Sequence, residues 1–188
     1  MYEPLLAAAE ALDVPIYIHP HLPPESVRKA YYSGLPGSAG TSLSAASWGW
    51  HSETAIHVLR LVMSGALDRH PKLKIIIGHM GEGLPFSMWR VDNCNAWIPN
   101  RHNYPAKKKI GDYFQDNFHI TVSGNFHSQA LLNALMVMGS DRIMFSTDWP
   151  FENIDHAALW FDDAPIGEAD RLKIGRTNAL KLFKLKGA

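Results

Sequence analysis

The sequence predicts an α/β fold, namely the C-terminal part of a (β/α)8 TIM-type barrel with about four βα units. Short apolar runs alternate with segments of helical periodicity, which is typical of parallel strands connected by helices. Three of these runs end in a side chain that can bind a metal or move a proton, namely His19, His79 and Asp148. Such barrels carry their catalytic groups at the C-terminal ends of the strands, so one pattern indicates both the fold and the site.

The length of the chain indicates half of such a barrel. A closed barrel takes roughly 250 residues, whereas this chain has 188. Leu5, Ala9 and Leu12 recur at helical spacing, so the chain is expected to begin inside a helix that leads into the first strand. We expect residues 1–188 to form a single domain that lacks the N-terminal half of the barrel. A complete small α/β domain is the alternative that the length also allows.

The first part of the chain is predicted to hold a helix at 3–12, a strand at 14–18 and a helix at 51–67. The strand is apolar on both faces, as a buried parallel strand should be. Prolines and glycines interrupt residues 20–47, which are therefore predicted to be a loop. A loop of this length in a compact domain is usually functional.

The remainder of the chain repeats the strand–helix pattern. Each apolar run is followed by a turn signal and then by a segment with helical periodicity. The predicted strands are 72–77, 118–122 and 142–146, and the predicted helices are 82–97, 127–138 and 167–182. A loop at 99–105, a helical turn near 109–115 and a short segment at 153–162 are expected between them.

Composition excludes several classes of function. The chain is 46% hydrophobic with a formal net charge of zero, and the short Lys107–Lys109 run is interpreted as a solvated loop, so nucleic-acid binding is not expected. No apolar run approaches the roughly 18 residues that a membrane span requires. No signal peptide is recognisable at the N-terminus. The single cysteine, Cys94, is predicted to be packed or partly buried and fits a reducing cytoplasm.

Two of the strand-end side chains are candidate metal ligands. His19 follows an apolar strand, and imidazole is a common ligand for first-row metals. A lone histidine at the end of a strand is more often structural, but its partners favour a ligand. Asp148 follows the last predicted strand, where a carboxylate can bind a divalent metal and also move a proton. The alternative for Asp148 is an ordinary loop or helix-capping residue.

His79 and Glu82 are predicted to form a catalytic pair in a glycine-rich turn. A carboxylate near an imidazole fixes its tautomer and raises its basicity, which suits an acid/base catalyst. Glu82 also fits the N-terminus of a helix, where the macrodipole favours a negative charge. Trp50 and its neighbour Trp48 either line an aromatic pocket or simply pack. His51 and the remaining histidines are not expected to take part.

Four segments resemble a known family: IHP, IIIGHMGEGLPFSMWRVD, FHITVSGN and FSTDWPFENIDHA. They are similar to the amidohydrolase-2 group of the amidohydrolase superfamily, and most similar to its aromatic-acid decarboxylases, the γ-resorcylate and dihydroxybenzoate decarboxylases. The resemblance covers essentially the whole chain. It implies a metal-dependent, non-oxidative decarboxylase on a distorted (β/α)8 barrel, with Mn²⁺ or Zn²⁺ as cofactor and a small hydroxylated aromatic acid as substrate.

The resemblance also implies roles for single residues. His19 and Asp148 match the metal ligands of the family's fifth and eighth strands, and His79 with Glu82 matches its catalytic histidine and that residue's partner. Arg90 matches an arginine that related enzymes insert into the neighbouring subunit, which suits a substrate carboxylate and implies a homodimer or homotetramer. A surface ion pair is the alternative for Arg90. Trp50 is retained as a candidate substrate contact.

One departure from the family is large. The pair Glu-x-His or His-x-His that supplies the family's other metal ligands does not occur at the start of this chain. In the intact enzyme Asp148, or His79 relayed through it, would protonate the ring carbon that bears the departing carboxylate. Two alternatives stay open, namely metal-dependent hydrolysis of an ester, lactone or amide, and an inactive fragment or subunit that a second chain completes.

Overall fold

The computed structural model describes residues 2–186, and its centre is a four-stranded parallel sheet with the strands in chain order. The strands are β1 Ile16–Ile18, β2 Ile75–Ile77, β3 Phe118–Thr121 and β4 Ile143–Met144. The helices are α1 Glu3–Leu12, α2 Glu25–Tyr31, α3 Ala39–Ser42, α4 Gly49–Met63, α5 Ala66–Arg69, α6 Leu84–Ala96, α7 Ile110–Asn117, α8 Ser128–Met138, α9 Ile154–Asp162, α10 Glu168–Leu172 and α11 Asn178–Leu182. This order of parallel strands and helices is that of consecutive units of a (β/α)8 barrel, as predicted.

The predicted loop at 20–47 is partly wrong. It contains α2, α3 and a π-helical turn at Leu43–Ser47. Pro24 precedes the first residue of α2, where a proline is compatible with helix, so the prolines mark the start of an element rather than its absence. The segment at 153–162 is also a helix, α9, whose first turn is capped by the Asn153 side chain accepting from the His156 amide at 2.9 Å.

The remaining differences from prediction lie at element boundaries. The strands are shorter than predicted; beyond β4, for example, the Phe145 amide donates to the Ile174 carbonyl at 2.8 Å rather than to a neighbouring strand. The predicted final helix is divided by a π-helical turn at Lys173–Thr177. Cys94 lies on the outer side of α6 and is exposed, so the prediction that it is packed or partly buried is wrong. No helix within the described residues combines the length and the apolar character needed to cross a bilayer.

The sheet packs its helix-facing side into the main hydrophobic core. Ile75 and Ile77 of β2 and Ile120 of β3 are fully buried there, against apolar residues of the surrounding helices. The opposite side carries the alternate residues, of which Ile76 and Met144 pack with Leu182 in a second, smaller cluster. Burial on both sides explains why the strands are continuous apolar runs without alternation.

Two buried asparagines fix the chain just before the strands. The Asn117 amide donates to the carbonyls of Pro71 and Leu73 at 3.0 and 2.9 Å, ahead of β2. The Asn178 amide donates to the carbonyls of Ser140 and Ile143, both at 2.7 Å, where β4 begins. Each side chain therefore satisfies two backbone acceptors that would otherwise be unpaired at a strand entrance.

The side of the sheet away from the main core is concave. The Tyr17 hydroxyl of β1 lies 3.3 Å from Thr121 Oγ1 of β3 and so passes over the strand between them. Gly78 makes this possible, because a Cβ atom there would lie 2.8 Å from the Tyr17 hydroxyl. Neighbouring strands are about 4.8 Å apart, so a tyrosine spans two of them only when the sheet curves towards it. We call this side, which carries Tyr17 and Thr121, the concave face.

His119 lies on the concave face two residues before Thr121, and it generates a prediction about pH. It is buried, and its Nδ1 has no hydrogen-bond partner within residues 2–186. Burial, reinforced by the positive charges of Arg142 and Lys74, lowers the pKa of His119 to about 4. The folded state therefore resists protonation that the unfolded chain accepts below about pH 6.5.

We expect His119→Phe to lose less stability than the native chain as the pH falls from 7 to 4. The difference in unfolding free energy between the two should change by about 3 kcal/mol over that range, because the phenyl ring takes up no proton in either state. Urea denaturation at both pH values measures it. His102→Phe, at an exposed histidine, is the control. Parallel pH dependence of His119→Phe and the native chain would contradict the prediction.

Candidate active site

The candidate site lies at the C-terminal end of the sheet, where three consecutive strands deliver polar groups. His79 follows β2, Ser123 follows β3 and Asp148 follows β4. The Ser123 hydroxyl accepts from the His79 amide at 3.3 Å, which joins the ends of β2 and β3. The strand-end positions predicted for His79 and Asp148 are therefore those of the structure.

The backbone at this end of the sheet is unusual. His79, Met80, Glu82 and Asp148 all have positive φ angles, of 48°, 59°, 55° and 61°. A left-handed conformation costs a residue other than glycine roughly 1–2 kcal/mol. Conformations of this kind persist only where surrounding contacts enforce them, and they cluster at functional sites.

A carboxylate between two imidazoles is the centre of the site. Glu82 Oε1 accepts from His79 Nδ1 at 2.7 Å, and Glu82 Oε2 accepts a very short hydrogen bond from His51 Nδ1. The His51 Nε2 donates to the Ala46 carbonyl at 2.9 Å. The side chain of Glu82 is 0% exposed, so the two imidazoles replace all of its hydration. The prediction that Glu82 accompanies His79 agrees with this geometry.

The charges of the cluster follow from its hydrogen bonds. Burial raises the pKa of Glu82, but the hydrogen bonds from His51 and His79 outweigh burial and hold that pKa below its ordinary value. The hydrogen bond to Glu82 raises the pKa of His51 against the opposing effect of burial. Both nitrogens of His51 face acceptors, which is the arrangement of an imidazolium. The cluster therefore pairs an ionised Glu82 with a cationic His51.

His79 presents its second nitrogen to Asp148. His79 Nδ1 donates to Glu82, so Nε2 is the nitrogen that faces Asp148, 3.8 Å from Oδ1. Gly124 provides the room for this approach, since a Cβ atom there would lie 2.9 Å from Asp148 Oδ2 and 3.2 Å from His79 Cδ2. The geometry suits the movement of a proton between an imidazole and a carboxylate.

His19 lies at the same end of the sheet but outside this cluster. It follows β1 and is exposed, and it makes no hydrogen bond to His79, Glu82 or Asp148. Its Nδ1 donates to the Pro20 carbonyl at 2.9 Å, which leaves Nε2 free. A backbone carbonyl that fixes one ring nitrogen is the usual second partner of a metal-binding histidine.

Two sets of residues have donor atoms suited to a metal. One nitrogen or oxygen atom from each of His51, His79 and Glu82 falls within 4.8 Å of the others. Both histidines of that set already donate hydrogen bonds to Glu82, and a metal would have to displace these protons. Asp148 accepts no side-chain hydrogen bond within the described part of the chain, and His19 has a free nitrogen. Nitrogen and oxygen donors of this type suit Mn²⁺ and Zn²⁺.

The other two predicted residues lie apart from the cluster. Arg90 is exposed on α6 and forms no hydrogen bond or ion pair with any residue between 2 and 186. Trp50 is partly buried near the start of α4, and its Nε1 is buried without a partner among the described residues. Trp50 precedes His51 directly in the chain, so it lies at the border of the site.

His51 is the member of the cluster that the sequence did not reveal. It is 31 residues from Glu82, and no ligand spacing connects it with the other histidines. Its only signal is its place directly after Trp48-Gly49-Trp50, where the long excursion between β1 and α4 returns to the sheet. Unusual segments of this length are often functional, and here the segment brings in a histidine.

Comparison with known proteins now assigns a family. The sequence profile of a family described as Amidohydrolase matches residues 1–185. The chain belongs to this family. Among curated relatives of this chain, γ-resorcylate decarboxylase from Rhizobium sp. strain MTP-10005 is 55% identical over 188 residues, which is 100% of this chain and 55% of the relative. The corresponding enzyme from Polaromonas sp. strain JS666 is 55% identical over 184 residues, covering 98% of this chain and 55% of the relative.

Solved structures give the same assignment. The crystal structure of a dihydroxybenzoic acid decarboxylase from Polaromonas sp. JS666, with bound manganese and the inhibitor 2-nitroresorcinol, matches with a TM-score of 0.90 and 54% identity, over 100% of this chain and 55% of that one. The chain thus spans about half the length of the relatives that it matches. The predicted family and the predicted partial (β/α)8 barrel are confirmed.

Gly124 generates a prediction for which Gly37 is the matched control. Both have positive φ angles, of 65° and 57°, but nothing lies within 4 Å of a Cβ atom added at Gly37. Gly37→Ala should therefore lose only the roughly 1 kcal/mol that a positive φ angle costs. Gly124→Ala should lose more stability in urea denaturation, and it should also shift the ring resonances of His79. Equal losses and an unshifted His79 would contradict the inferred approach of His79 and Asp148.

Proposed function

We propose that this chain carries the proton-transfer half of a metal-dependent, non-oxidative decarboxylase that acts on a hydroxylated aromatic acid such as γ-resorcylate (2,6-dihydroxybenzoate). The observation that carries the proposal is the alignment of His79 Nε2 with Asp148 at the C-terminal end of the sheet. The names of the relatives, γ-resorcylate and dihydroxybenzoic acid decarboxylases, support the choice of reaction and substrate.

His19 and Asp148 would hold the metal, Mn²⁺ or Zn²⁺. The free Nε2 of His19 and the Asp148 carboxylate are donors of the right type, and the related Polaromonas structure contains manganese. When bound, the cation offsets the negative charge of the substrate and orients it. Two protein ligands are too few for a tight site, so we infer that four further βα units complete the coordination.

The chemistry required of the protein is the delivery of one proton. The bond between the ring carbon and the carboxylate breaks, carbon dioxide leaves, and the ring carbon receives a proton. In our proposal Asp148 gives this proton to the ring, and His79 Nε2, 3.8 Å from Asp148, passes on to Asp148 a proton that it takes up from water. Glu82 holds the His79 ring through Nδ1, so that only Nε2 takes part. Trp50 would line the pocket beside this pair.

The open sides of the sheet support a role for a second half of the barrel. Among the described residues β1 and β4 each pair with one neighbour only, and Tyr17 of the concave face is 44% exposed. Edge strands of this kind accept further strands. We infer that residues 1–188 form one folding unit that such strands complete. An exposed, unpaired Cys94 suits a reducing compartment, and we propose a cytoplasmic location.

A second proposal concerns self-association through α6. Phe86 and Trp89 are 84% and 73% exposed on one side of this helix, and Met88 is buried on the other; Trp97, directly after the last helical residue, is 77% exposed. Strands that complete the barrel would join at β1 and β4, not over α6, which follows the inner strand β2. We propose that this aromatic stripe binds a second copy of the chain, because aromatic residues are enriched at interface centres.

Arg90 belongs to the same stripe. It is exposed and lies one residue after Trp89. An arginine in a homo-oligomeric interface can reach the site of the partner, where its planar guanidinium suits the substrate carboxylate. We therefore propose that Arg90 binds substrate across a homodimer or a homotetramer.

The decarboxylase proposal is tested in a complete barrel that joins the N-terminal half of the Rhizobium relative to residues 1–188. With manganese and 2,6-dihydroxybenzoate we expect release of carbon dioxide. His79→Asn should lower turnover by at least about a hundredfold, because proton transfer contributes that much, while the manganese content is unchanged. His102→Asn should leave turnover unchanged. Acid release from an ester without carbon dioxide would support hydrolysis instead, and full turnover by His79→Asn would disprove its role.

The α6 proposal is tested by sedimentation velocity. We expect the native chain to sediment as a dimer or tetramer, and Trp89→Glu to sediment as a monomer, because the substitution places a charge in an apolar interface. Leu159→Glu, which changes an exposed apolar residue of α9, is the matched control and should keep the native mass. A monomeric native chain, or no effect of Trp89→Glu, would contradict the proposal.

A further inference from the structure

We propose that His51 is a positioning residue: by donating from both ring nitrogens, it ties the Leu43–Ser47 turn to Glu82 and so fixes the orientation of His79 and the nitrogen that carries its proton. The inference rests on the proposed function of His79. It goes further, because it assigns a role to a residue and to a segment that neither the strand ends nor the family comparison indicates.

The first observation is that both ring nitrogens of His51 have a hydrogen-bond partner. Its Nδ1 donates to Glu82 Oε2 and its Nε2 donates to the Ala46 carbonyl at 2.9 Å. Neither nitrogen is left to bind substrate or move a proton. His51 therefore does not react itself, and its contribution lies in what it holds.

The second observation concerns the geometry of Glu82. A carboxylate that accepts one hydrogen bond can rotate about it, whereas two donors on opposite oxygens fix the plane of the group. Here His51 occupies Oε2 and His79 occupies Oε1, in a side chain that is 0% exposed. Because the Glu82 side chain is not exposed to water, no water molecule can replace His51 or His79 if either donor is removed.

The third observation links this carboxylate to the reacting atom. The His79 and His51 rings meet edge to face, with centroids 5.3 Å apart. His79 Nδ1 donates a hydrogen bond to Glu82, so the ring presents Nε2 to Asp148 at 3.8 Å. If His51 were lost, Glu82 could turn or take up a proton and donate it, and the proton of His79 would no longer be confined to Nδ1.

The fourth observation is the anchor of His51. The Leu43–Ser47 turn is π-helical, and its Ala45 has non-helical angles, with φ −101° and ψ −131°. This irregular backbone directs the Ala46 carbonyl at His51 Nε2. The Leu43–Ser47 turn is thus joined to the site by the hydrogen bond from His51 to the Ala46 carbonyl.

The experiment locates the proton of His79 by long-range ¹H–¹⁵N correlation of the histidine rings, in the whole 188-residue chain at one neutral pH. In the native chain we expect a protonated Nδ1 and a bare Nε2. His51→Phe keeps a ring but has no donor, and it should move a major part of the proton population to Nε2. His51→Lys restores a cationic donor and should return the proton to Nδ1.

The matched control is His57→Phe, which changes an exposed histidine on the same helix. It should leave the His79 signals unchanged. Circular dichroism confirms that each variant is folded. If His51→Phe does not fold, His51→Gln, with a neutral donor, is measured instead and should give an intermediate shift. An unchanged His79 proton in the folded His51 variant would overturn the proposal.

The complete barrel gives a second readout. There His51→Phe should lower kcat at least tenfold while the KM for 2,6-dihydroxybenzoate stays within twofold, because His51 acts on His79 and not on the substrate. His51→Lys should recover part of kcat. A change in KM alone would contradict a positioning role. The proton measurement needs neither substrate nor turnover, so a failure of the decarboxylase proposal and a failure of this one are distinguishable.

Discussion

The rest of this site depends on one constraint, the complete burial of the Glu82 carboxylate. A charge removed from water is tolerated only when hydrogen bonds and an opposite charge replace its hydration. His51 and His79 supply these, one on each oxygen. The geometry demands left-handed angles at both His79 and Glu82, which are otherwise unfavourable. The turn after β2 brings His79 and Glu82 together, so that His79 Nδ1 donates to this carboxylate and Nε2 faces Asp148.

Glycines set the shape in which that constraint is met. Gly78 lets Tyr17 cross β2 and reach Thr121, which requires a curved sheet, and Gly124 leaves room for Asp148 to approach His79. The missing Cβ atom of Gly78 therefore permits the curvature of the sheet, and that of Gly124 permits the approach of His79 and Asp148. Curvature brings the strand ends towards a common point, and the vacant volume at that point decides which side chains meet.

The concave face of the sheet and the outer helix layer have different roles. The concave face and its rim carry His19, Asp148 and the His79 cluster, and the edges at β1 and β4 leave it open to further strands. The outer helix layer carries the aromatic stripe of α6, which such strands would not cover. Completion of the barrel and self-association of the protein therefore use separate surfaces. Arg90 connects them in our proposal, because it lies on the outer stripe but suits a substrate in the site of a partner.

The sequence by itself determined the partial barrel and the strand ends, because buried strands appear in it as local runs of apolar residues. Apolar runs locate β2 and β4, each run ends near a reactive side chain, and Glu82 is three residues from His79, so that one turn joins them. Only the tertiary structure decided that His51 binds Glu82 from 31 residues away and that His79 Nε2 lies 3.8 Å from Asp148 Oδ1. It also decided that helices occupy much of 20–47. Periodicity reports which residues are buried, whereas these contacts depend on register, on curvature and on the path of an irregular segment, which no local pattern encodes.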